Sequence, residues 1–256
     1  MGVSAFLITL NEENRIGRTL DSLKWTDEQV VVDAGSSDHT VAICRMKGAQ
    51  VYHRPFDHFD AQKNYALSLT NQKWVLSIDA DEVVTPALMQ EIKKVVAENG
   101  PYTGYLIRRR NHFLGRPLRF GNQRREKILR LFHKQGAKFV GIVHETVHID
   151  GSIGTLENVL EHFGTETIDD YYVKLKLYID LEVNQIIASG CPPSLAKAIL
   201  FPPAKWTLEY VFLGGFLDGW IGLLYHGLSC YYGWLKNFKA FCQMKRISRG
   251  EEKGLH

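Results

Sequence analysis

The sequence predicts an α/β fold, with a mostly parallel sheet flanked by helices and a helical extension after it. Short apolar runs alternate with helical patterns through the first hundred residues, and these runs are continuous, as in strands buried on both faces. From Glu166 onward the spacing of apolar residues is helical. We therefore expect a first domain over residues 1–165 and a helical extension over residues 166–256.

Each predicted strand of the first hundred residues ends in polar residues. The strands are expected at 3–9, 29–33, 50–53 and 74–78, and the helices at 13–23, 38–47, 60–69 and 86–99. Further strands are expected at 104–109, 127–133 and 139–143. Ligands of such sheets bind beyond the carboxyl ends of the strands, so the polar residues there are the candidates for a site.

Composition favours a globular, intracellular protein. The charged fraction is 23% and the net charge is +3, which does not indicate disorder. The four cysteines form no C-x-x-C pair, so we expect a reduced, cytosolic compartment. The apolar run after Met1 has no basic leader, so we expect a strand there and not a signal peptide.

The segment Ser77-Ile-Asp79-Ala-Asp81-Glu82 carries the strongest chemical signal. A buried strand ends by presenting two carboxylates one residue apart, on the same side of an extended chain. Their repulsion is relieved by a hard divalent cation, Mg²⁺ or Mn²⁺, which can bridge a diphosphate and stabilise its departure. The alternative is an acidic turn that caps the next helix.

Three further motifs precede these carboxylates in a fixed order. They are Thr9-Leu-Asn-Glu-Glu13, Val31-Val-Asp-Ala-Gly-Ser-Ser-Asp38 and Asp60-Ala-Gln-Lys-Asn-Tyr-Ala-Leu67. The ordered set resembles the inverting family 2 glycosyltransferases, which have the GT-A fold. Many relatives carry a second acid where this chain has Ala34, so only the role of the first acid, Asp33, is assigned to this chain.

The resemblance assigns roles to individual residues. It implies that Thr9, Glu12 and Asp33 line the nucleoside pocket and that Lys63 lies near the pyrophosphate. It also implies that Asp79 and Asp81 hold the ribose and the metal ion. The resemblance therefore implies two cofactors, a divalent metal (Mg²⁺ or Mn²⁺) and a nucleotide-sugar donor linked to UDP. Each of three residues has a purely structural alternative. Thr9 would only end a strand, Glu12 would be a charge at the start of a helix, and Lys63 would lie on a solvated helix face.

A later segment narrows the resemblance. The sequence R-L-F at 130–132, then x-G-x-V-H-E ending at Glu145, and the glycine-rich segment 215–223 resemble lipopolysaccharide core β-1,4-glucosyltransferases that act on inner-core heptose. Within that resemblance Glu145 is expected to be the general base that takes the proton of the acceptor hydroxyl. His144 or His162 can supply a further metal ligand, and a hydrogen-bonded structural histidine is the alternative for each.

Two other classes of function fit parts of the sequence. Asp79-Ala-Asp81-Glu-Val83 also matches the D-x-D-x-[TV] motif of haloacid-dehalogenase-type phosphatases, although that motif normally opens the fold. The arginine-rich run 108–130 permits a non-enzymatic module that binds anionic membranes or nucleic acid. Because no nucleic-acid motif is present, we expect its partners to be a phosphorylated lipid-linked acceptor, the donor diphosphate or lipid head groups.

The C-terminal region predicts a peripheral attachment to the cytoplasmic face of the inner membrane. The uncharged stretch 219–235 has 17 residues, about 25 Å as a helix, whereas a bilayer core of about 30 Å needs nearer 20. Its tryptophans and tyrosines suit the interface, and basic residues follow at Lys236, Lys239, Lys245, Arg246, Arg249 and Lys253. The alternative is a buried helical hairpin. Pro192-Pro193 and Pro202-Pro203 predict two breaks before this stretch.

Overall fold

The structure is a computed structural model that describes residues 2–98, 100–141, 145–190 and 194–248. The chain divides into two compact units. The first comprises Met1–Asn111 and Arg125–Gly164, and the second comprises His112–Arg124 and Thr165–His256. The second unit thus includes a short segment that lies inside the predicted first domain, and the boundary at 165 stays a prediction.

The first part of the first unit consists of alternating strands and helices. The strands are β1 (Val3–Thr9), β2 (Glu28–Asp33), β3 (Gln50–His53) and β4 (Trp74–Ser77), and the helices are α1 (Ile16–Ser22), α2 (Thr40–Met46), α3 (Phe59–Leu69) and α4 (Pro86–Glu98). The four strands pair in parallel in the order β3-β2-β1-β4. This confirms the predicted α/β architecture, with helix boundaries displaced by up to three residues.

Beyond β4 the sheet contains antiparallel pairs, so the sheet is mixed and not mostly parallel. Its strands are β5 (Glu82–Val84), β6 (Tyr102–Phe113), β7 (Arg116–Pro117), β8 (Lys127–His133) and β11 (Ser152–Thr165), while β9 (Lys138–Val140) and β10 (Thr146–His148) form a separate pair. β8 joins β4 with Trp74 opposite His133. Between β6 and β11 the described residues contain no α-helix, and without a crossover helix neighbouring strands pair antiparallel.

Alternation along the parallel strands fills a core on each face of the sheet. In β1, Ala5 and Leu7 belong to a cluster that includes Ile16 of α1 and Leu88 of α4. Phe6 belongs to a second cluster with residues of α3 and β8. Both faces are therefore covered by helices or loops, which explains why the strands are continuous apolar runs.

The second unit is mainly helical. Its helices are α5 (Ile168–Ala188), α6 (Leu195–Trp206) and α7 (Gly219–Ser248), with a π-helical turn at Thr207–Phe212 and a 3₁₀ turn at Gly215–Asp218. α7 packs against both α5 and α6. Pro202 and Pro203 lie inside α6, so the predicted break there is wrong. Pro202 is buried, and its ring lies close to Gly233 of α7, so packing outweighs the two lost amide donors.

Membrane-spanning potential in the described part of the chain is confined to one bent pair of helical segments. No single described helix combines the length and apolar character needed to cross a bilayer. By length and composition, Leu195–Phe212 together with Gly215–Ile247 meets that requirement, with a bend of 71° between the two.

Candidate active site

Hydrogen bonds join the loops that follow β1 and β2. Asn11 has a left-handed φ of 53°, and its side-chain oxygen accepts a hydrogen bond from the Ser37 amide at 2.8 Å. The Asn11 amide donates to Oγ of Ser36 at 2.9 Å, and the Glu12 amide donates to Oγ1 of Thr40 at 2.8 Å. The ends of two neighbouring parallel strands thus form one continuous surface.

The three residues predicted to line a nucleoside pocket all lie at this edge. Thr9 is buried, and its Oγ1 has no hydrogen-bond partner among the described residues. Glu12 forms an ion pair with Arg15 at 3.0 Å. Asp33 is buried, and its Oδ2 accepts hydrogen bonds from the amides two and three residues later at 2.9 and 3.0 Å. Asp33 therefore stabilises its own turn, and its contact with a nucleoside stays a prediction.

A cluster of charged side chains surrounds Asp79. One carboxylate oxygen lies 3.0 Å from Nζ of Lys63 on α3, and the other contacts Arg130 on β8. Arg130 also lies 2.7 Å from Glu82, which is fully buried and accepts a hydrogen bond from the Asp79 amide at 2.9 Å. Lys63 reaches Oε1 of Glu145 at 2.5 Å. Two cations thus lie among three carboxylates just beyond β4.

The two cations determine the ionisation of Asp79. Desolvation raises the pKa of this carboxyl, but the charges of Arg130 and Lys63 outweigh it and hold the pKa well below its usual range. Burial lowers the pKa of Arg130, and the nearby Asp79 and Glu82 carboxylates raise it above its ordinary value. Side chains of the protein therefore already balance the charge of Asp79, for which the sequence suggested a metal ion.

Asp81 faces a different partner from Asp79. Its Oδ2 lies 3.4 Å from Nε2 of His162 on β11. Nδ1 of His162 is 2.7 Å from Oδ1 of Asn111, and the amide nitrogen of Asn111 donates to Glu126 at 2.9 Å. Because an amide oxygen only accepts, Nδ1 donates to Asn111, and Nε2 is the ring nitrogen that faces Asp81. This is the orientation that a metal-binding histidine has.

The described residues contain no group of three or more His, Cys, Asp or Glu side chains arranged to hold a metal ion. Asp81 and His162 form a pair, whereas Asp79, also predicted to bind metal, contacts cations. His144 lies outside the described residues. A metal ion held by this pair would need its remaining ligands from another source, such as the oxygens of a diphosphate.

The arginine-rich run has internal partners. Arg109 contacts Glu126 and Arg110 contacts Glu161, as Arg130 contacts Asp79. These guanidinium groups are bound to carboxylates and do not form an open phosphate-binding surface. The importance of Arg130 was missed because its carboxylate partners are remote in sequence.

Comparison with known proteins shows the family to which the chain is similar. Residues 4–163 match the model of glycosyl transferase family 2. The chain is 29% identical over 242 residues to the lipopolysaccharide core biosynthesis glycosyltransferase LpsC of Rhizobium meliloti, covering 89% of this chain and 90% of that protein. It is 34% identical over 205 residues to an uncharacterized glycosyltransferase of Rickettsia conorii, covering 73% and 71%.

Similarity to solved structures is more distant. The structure of Staphylococcus aureus TarS is 16% identical, with a TM-score of 0.49, over 94% of this chain and 54% of that one. A complex of glucosyl-3-phosphoglycerate synthase from Mycobacterium tuberculosis with Mn²⁺ and UDP is 24% identical, with a TM-score of 0.37, over 43% and 44%. The family match spans the motifs at the ends of β1, β2 and β4, and it favours a transferase over a phosphatase. The chain belongs to glycosyl transferase family 2 and has a GT-A-like fold.

Proposed function

We propose that the chain is an inverting glycosyltransferase that moves a hexose, glucose in our proposal, from a UDP-sugar to a lipid-linked glycan. The observation that carries this proposal is the grouping of Lys63, Asp79 and Glu145 by direct contacts of 3.0 and 2.5 Å. One cation thus connects the carboxylate after β4 with the carboxylate proposed as the base. The similarity to LpsC over most of both chains supports an acceptor of the lipopolysaccharide core type, and we propose that this acceptor is the inner core.

The donor is proposed to lie along the ends of β1, β2 and β4. The unpartnered Oγ1 of Thr9 can donate to and accept from a nucleoside. Lys63 is 5% exposed at its side chain, and its ammonium group suits a diphosphate. When a diphosphate arrives it competes with Asp79 and Glu145 for this ammonium group. Donor binding would therefore release Glu145 from its ion pair.

Asp81 and His162 fit a divalent metal in chemistry and orientation. A carboxylate and an imidazole whose other ring nitrogen is hydrogen-bonded to Asn111 suit Mn²⁺, and diphosphate oxygens would complete the ligand set. When bound at Asp81 and His162, such an ion would supply positive charge for the diphosphate of the leaving group.

The transfer itself needs one proton acceptor. The acceptor hydroxyl oxygen attacks the anomeric carbon from the side opposite the donor oxygen, and the bond between that carbon and the diphosphate oxygen breaks. UDP leaves with the electron pair, the configuration inverts, and Glu145 takes the hydroxyl proton. Glu82 is not available for this step, because it is fully buried and bound to Arg130.

Replacing Glu145 by Gln tests the base. Positioned proton transfer contributes about 10²–10⁴-fold, so kcat should fall by that order, while UDP should bind as tightly as in the wild type or more tightly, because Gln competes less for Lys63. The matched control is Glu157→Gln, at an exposed carboxylate on β11, which should retain full activity. Activity would be measured with a panel of UDP-sugars and truncated inner-core lipopolysaccharide, with products identified by mass spectrometry. Wild-type turnover in the Glu145 variant would remove it from this role.

The metal proposal has a readout that does not depend on turnover. Titration calorimetry should show tighter UDP binding in the presence of Mn²⁺ for the wild type, and this gain should disappear in Asp81→Ala and His162→Ala. Asn111→Ala should reduce the gain without abolishing it, since Asn111 only orients the imidazole. A gain that persists in both ligand variants would contradict the metal site.

We also propose that the second unit attaches the enzyme to the cytoplasmic face of the membrane. Large apolar side chains are exposed throughout residues 195–234, including Leu200, Phe212, Leu217, Trp220 and Leu223. Large apolar patches on a protein surface mark sites of interaction with membranes or other proteins. Two of the basic residues expected to meet anionic lipid, Lys236 and Lys239, have carboxylate partners within the unit. Apolar insertion would therefore supply most of the affinity.

Liposome flotation tests the attachment. The full chain should float with vesicles that contain anionic lipid, and the double variant Phe212→Ser, Trp220→Ser should float less. Phe212 and Trp220 are 75% and 59% exposed, and the control Val173→Ser changes an apolar residue of α5 that is 69% exposed. Equal flotation of the double variant and the control would contradict the proposed surface.

A further inference from the structure

The second unit contains a cavity of about 280 Å³ lined by residues of α5, α6, the π-helical turn and α7. None of the residues assigned to donor binding or to the base lines it. Its wall combines two carboxylates, a histidine, two lysines and a tryptophan. This is a group of polar and aromatic side chains for which the proposed transfer reaction provides no role.

One buried side chain in the wall, an imidazole, has no hydrogen bond within the described residues. His226 is 1% exposed, and neither of its ring nitrogens has a partner within the described part of the chain. Its Nδ1 lies 3.7 Å from Oε2 of Glu209, which is longer than a hydrogen bond. Glu209 is 7% exposed, and Lys205 is also 3.7 Å away. Buried polar groups are normally paired, so the ring nitrogens of His226 are open to a hydrogen bond from a ligand, next to the charged pair of Glu209 and Lys205.

The imidazole of His226 is held firmly in place. A Cβ atom on Gly215 would lie 2.5 Å from Nε2, and one on Gly121 would lie 2.8 Å from it, so only glycine fits at these two positions. The rings of Tyr225 and Tyr210 pack against the imidazole at centroid distances of 5.3 and 5.9 Å. A ring that is immobilised without hydrogen bonds is preorganised for a partner that enters the cavity.

Glu209 lies in the middle of the π-helical turn. π-Helical turns are rare and are found frequently at functional sites, because the wider turn redirects a side chain. Here the turn places Glu209 in the cavity wall beside His226. The π-helical backbone and the ring nitrogens of His226, unpaired within the described residues, therefore both indicate a functional site at this part of the cavity wall.

The charges of the wall select the class of ligand. Glu182 accepts hydrogen bonds from Tyr232 at 2.7 Å and Lys236 at 2.6 Å, so its charge is matched. Lys205 balances Glu209, which leaves no net charge for an anion such as phosphate. Carboxylate, imidazole and ammonium groups beside Trp206 suit a ligand with several hydroxyl groups and an apolar face.

We propose that this cavity binds one sugar ring, with hydroxyls that donate to Glu209 and hydrogen-bond to His226, and a face that packs on Trp206. The identity of this ring rests on the proposed function. It is a sugar of the glycan acceptor, and it differs from the sugar that receives the hexose. The second unit then contributes to acceptor recognition as well as to membrane attachment.

Saturation-transfer NMR on the full chain tests the site, with methyl glycosides of glucose, galactose and mannose as probes. At least one should bind saturably in the millimolar range. Glu209→Gln should weaken that binding about tenfold, because a neutral amide oxygen accepts a weaker hydrogen bond from a sugar hydroxyl than a carboxylate does. Ser229→Phe, which fills the cavity and leaves Glu209 and His226 in place, should abolish it. The control Asp180→Asn changes a carboxylate that does not line the cavity and should bind normally.

Inorganic phosphate and phosphoethanolamine serve as competing probes. Binding of either one in place of every sugar, absence of saturable sugar binding, or sugar binding unaffected in both folded cavity variants would overturn the proposal. Melting curves establish that the variants are folded. UDP titration of the same proteins separates the two proposals. Normal UDP binding with no sugar site contradicts only this inference, whereas a sugar site without UDP binding contradicts the transferase.

Discussion

Replacing Arg130 by Met removes the cation between Asp79 and Glu82 and keeps a side chain of similar length. Arg130 is 7% exposed and Glu82 is fully buried. The variant therefore leaves a buried carboxylate without its main partner. Breaking a buried ion pair in this way costs about 3–5 kcal/mol. Since domains are typically stable by about 5–15 kcal/mol, we expect a large loss of stability.

Arg110→Met provides the matched control. Arg110 is bound to Glu161, but its side chain is 38% exposed, and exposed ion pairs contribute about 0–1 kcal/mol. Urea unfolding, followed by far-ultraviolet circular dichroism and tryptophan fluorescence, would give the free energy of unfolding for the two variants and the wild type. We expect the Arg130 variant to lose at least 2 kcal/mol more than the Arg110 variant, roughly the gap between these two ranges.

A double variant examines the reason for the loss. Adding Glu82→Gln to Arg130→Met removes the uncompensated charge, so it should restore part of the stability. If Arg130→Met costs no more than Arg110→Met, or if the double variant is less stable than the sum of the single variants predicts, the cluster does not stabilise the unit as described.

Three further predictions concern other parts of the chain. Thr9→Val should change the free energy of unfolding by less than about 1 kcal/mol, because the hydroxyl has no partner, while calorimetry should show weaker UDP binding. Neighbouring cations, acting against desolvation, hold the pKa of Asp79 low. Its contribution to stability is therefore present above the unfolded value of about 3.9 and is lost as the pH falls below it. The urea midpoint should accordingly decrease more between about pH 6 and pH 3 for the wild type than for Asp79→Asn, and equal decreases would refute this. Gly215→Ala, with its Cβ 2.5 Å from His226, should cost about 1–3 kcal/mol by overpacking. Gly227→Ala, with no atom within 4 Å, should be neutral or stabilising by about 0.5–1 kcal/mol in thermal unfolding.

The strands and helices of the first hundred residues were predictable because their signals are local. Continuous apolar runs predicted β1 to β4, and the structure places β1 and β3 at the predicted residues. The mixed character of the sheet was not predictable in the same way. Whether β8 joins β4 in parallel or antiparallel depends on how the chain returns to the sheet, which no local pattern records.

The candidate site was partly predictable. Residues at strand ends must converge in a parallel sheet, and Lys63 and Asp79 do lie in contact. The partner of Asp79 on β8 was not predicted. Arg130 was one basic residue among many in the sequence, and only strand register places its guanidinium between two carboxylates.

The sequence by itself determined the family and the order of the βα units, because both depend on motifs and apolar periodicity within short segments. Tertiary structure decided which charges meet. It paired Asp81 with His162 across 81 residues and left His226 beside Glu209 without a hydrogen bond. It also kept Pro202 inside a helix through packing against α7. The physical reason is that the energies of ion pairs and buried polar groups depend on distance and desolvation in three dimensions, and these are fixed only when the chain is folded.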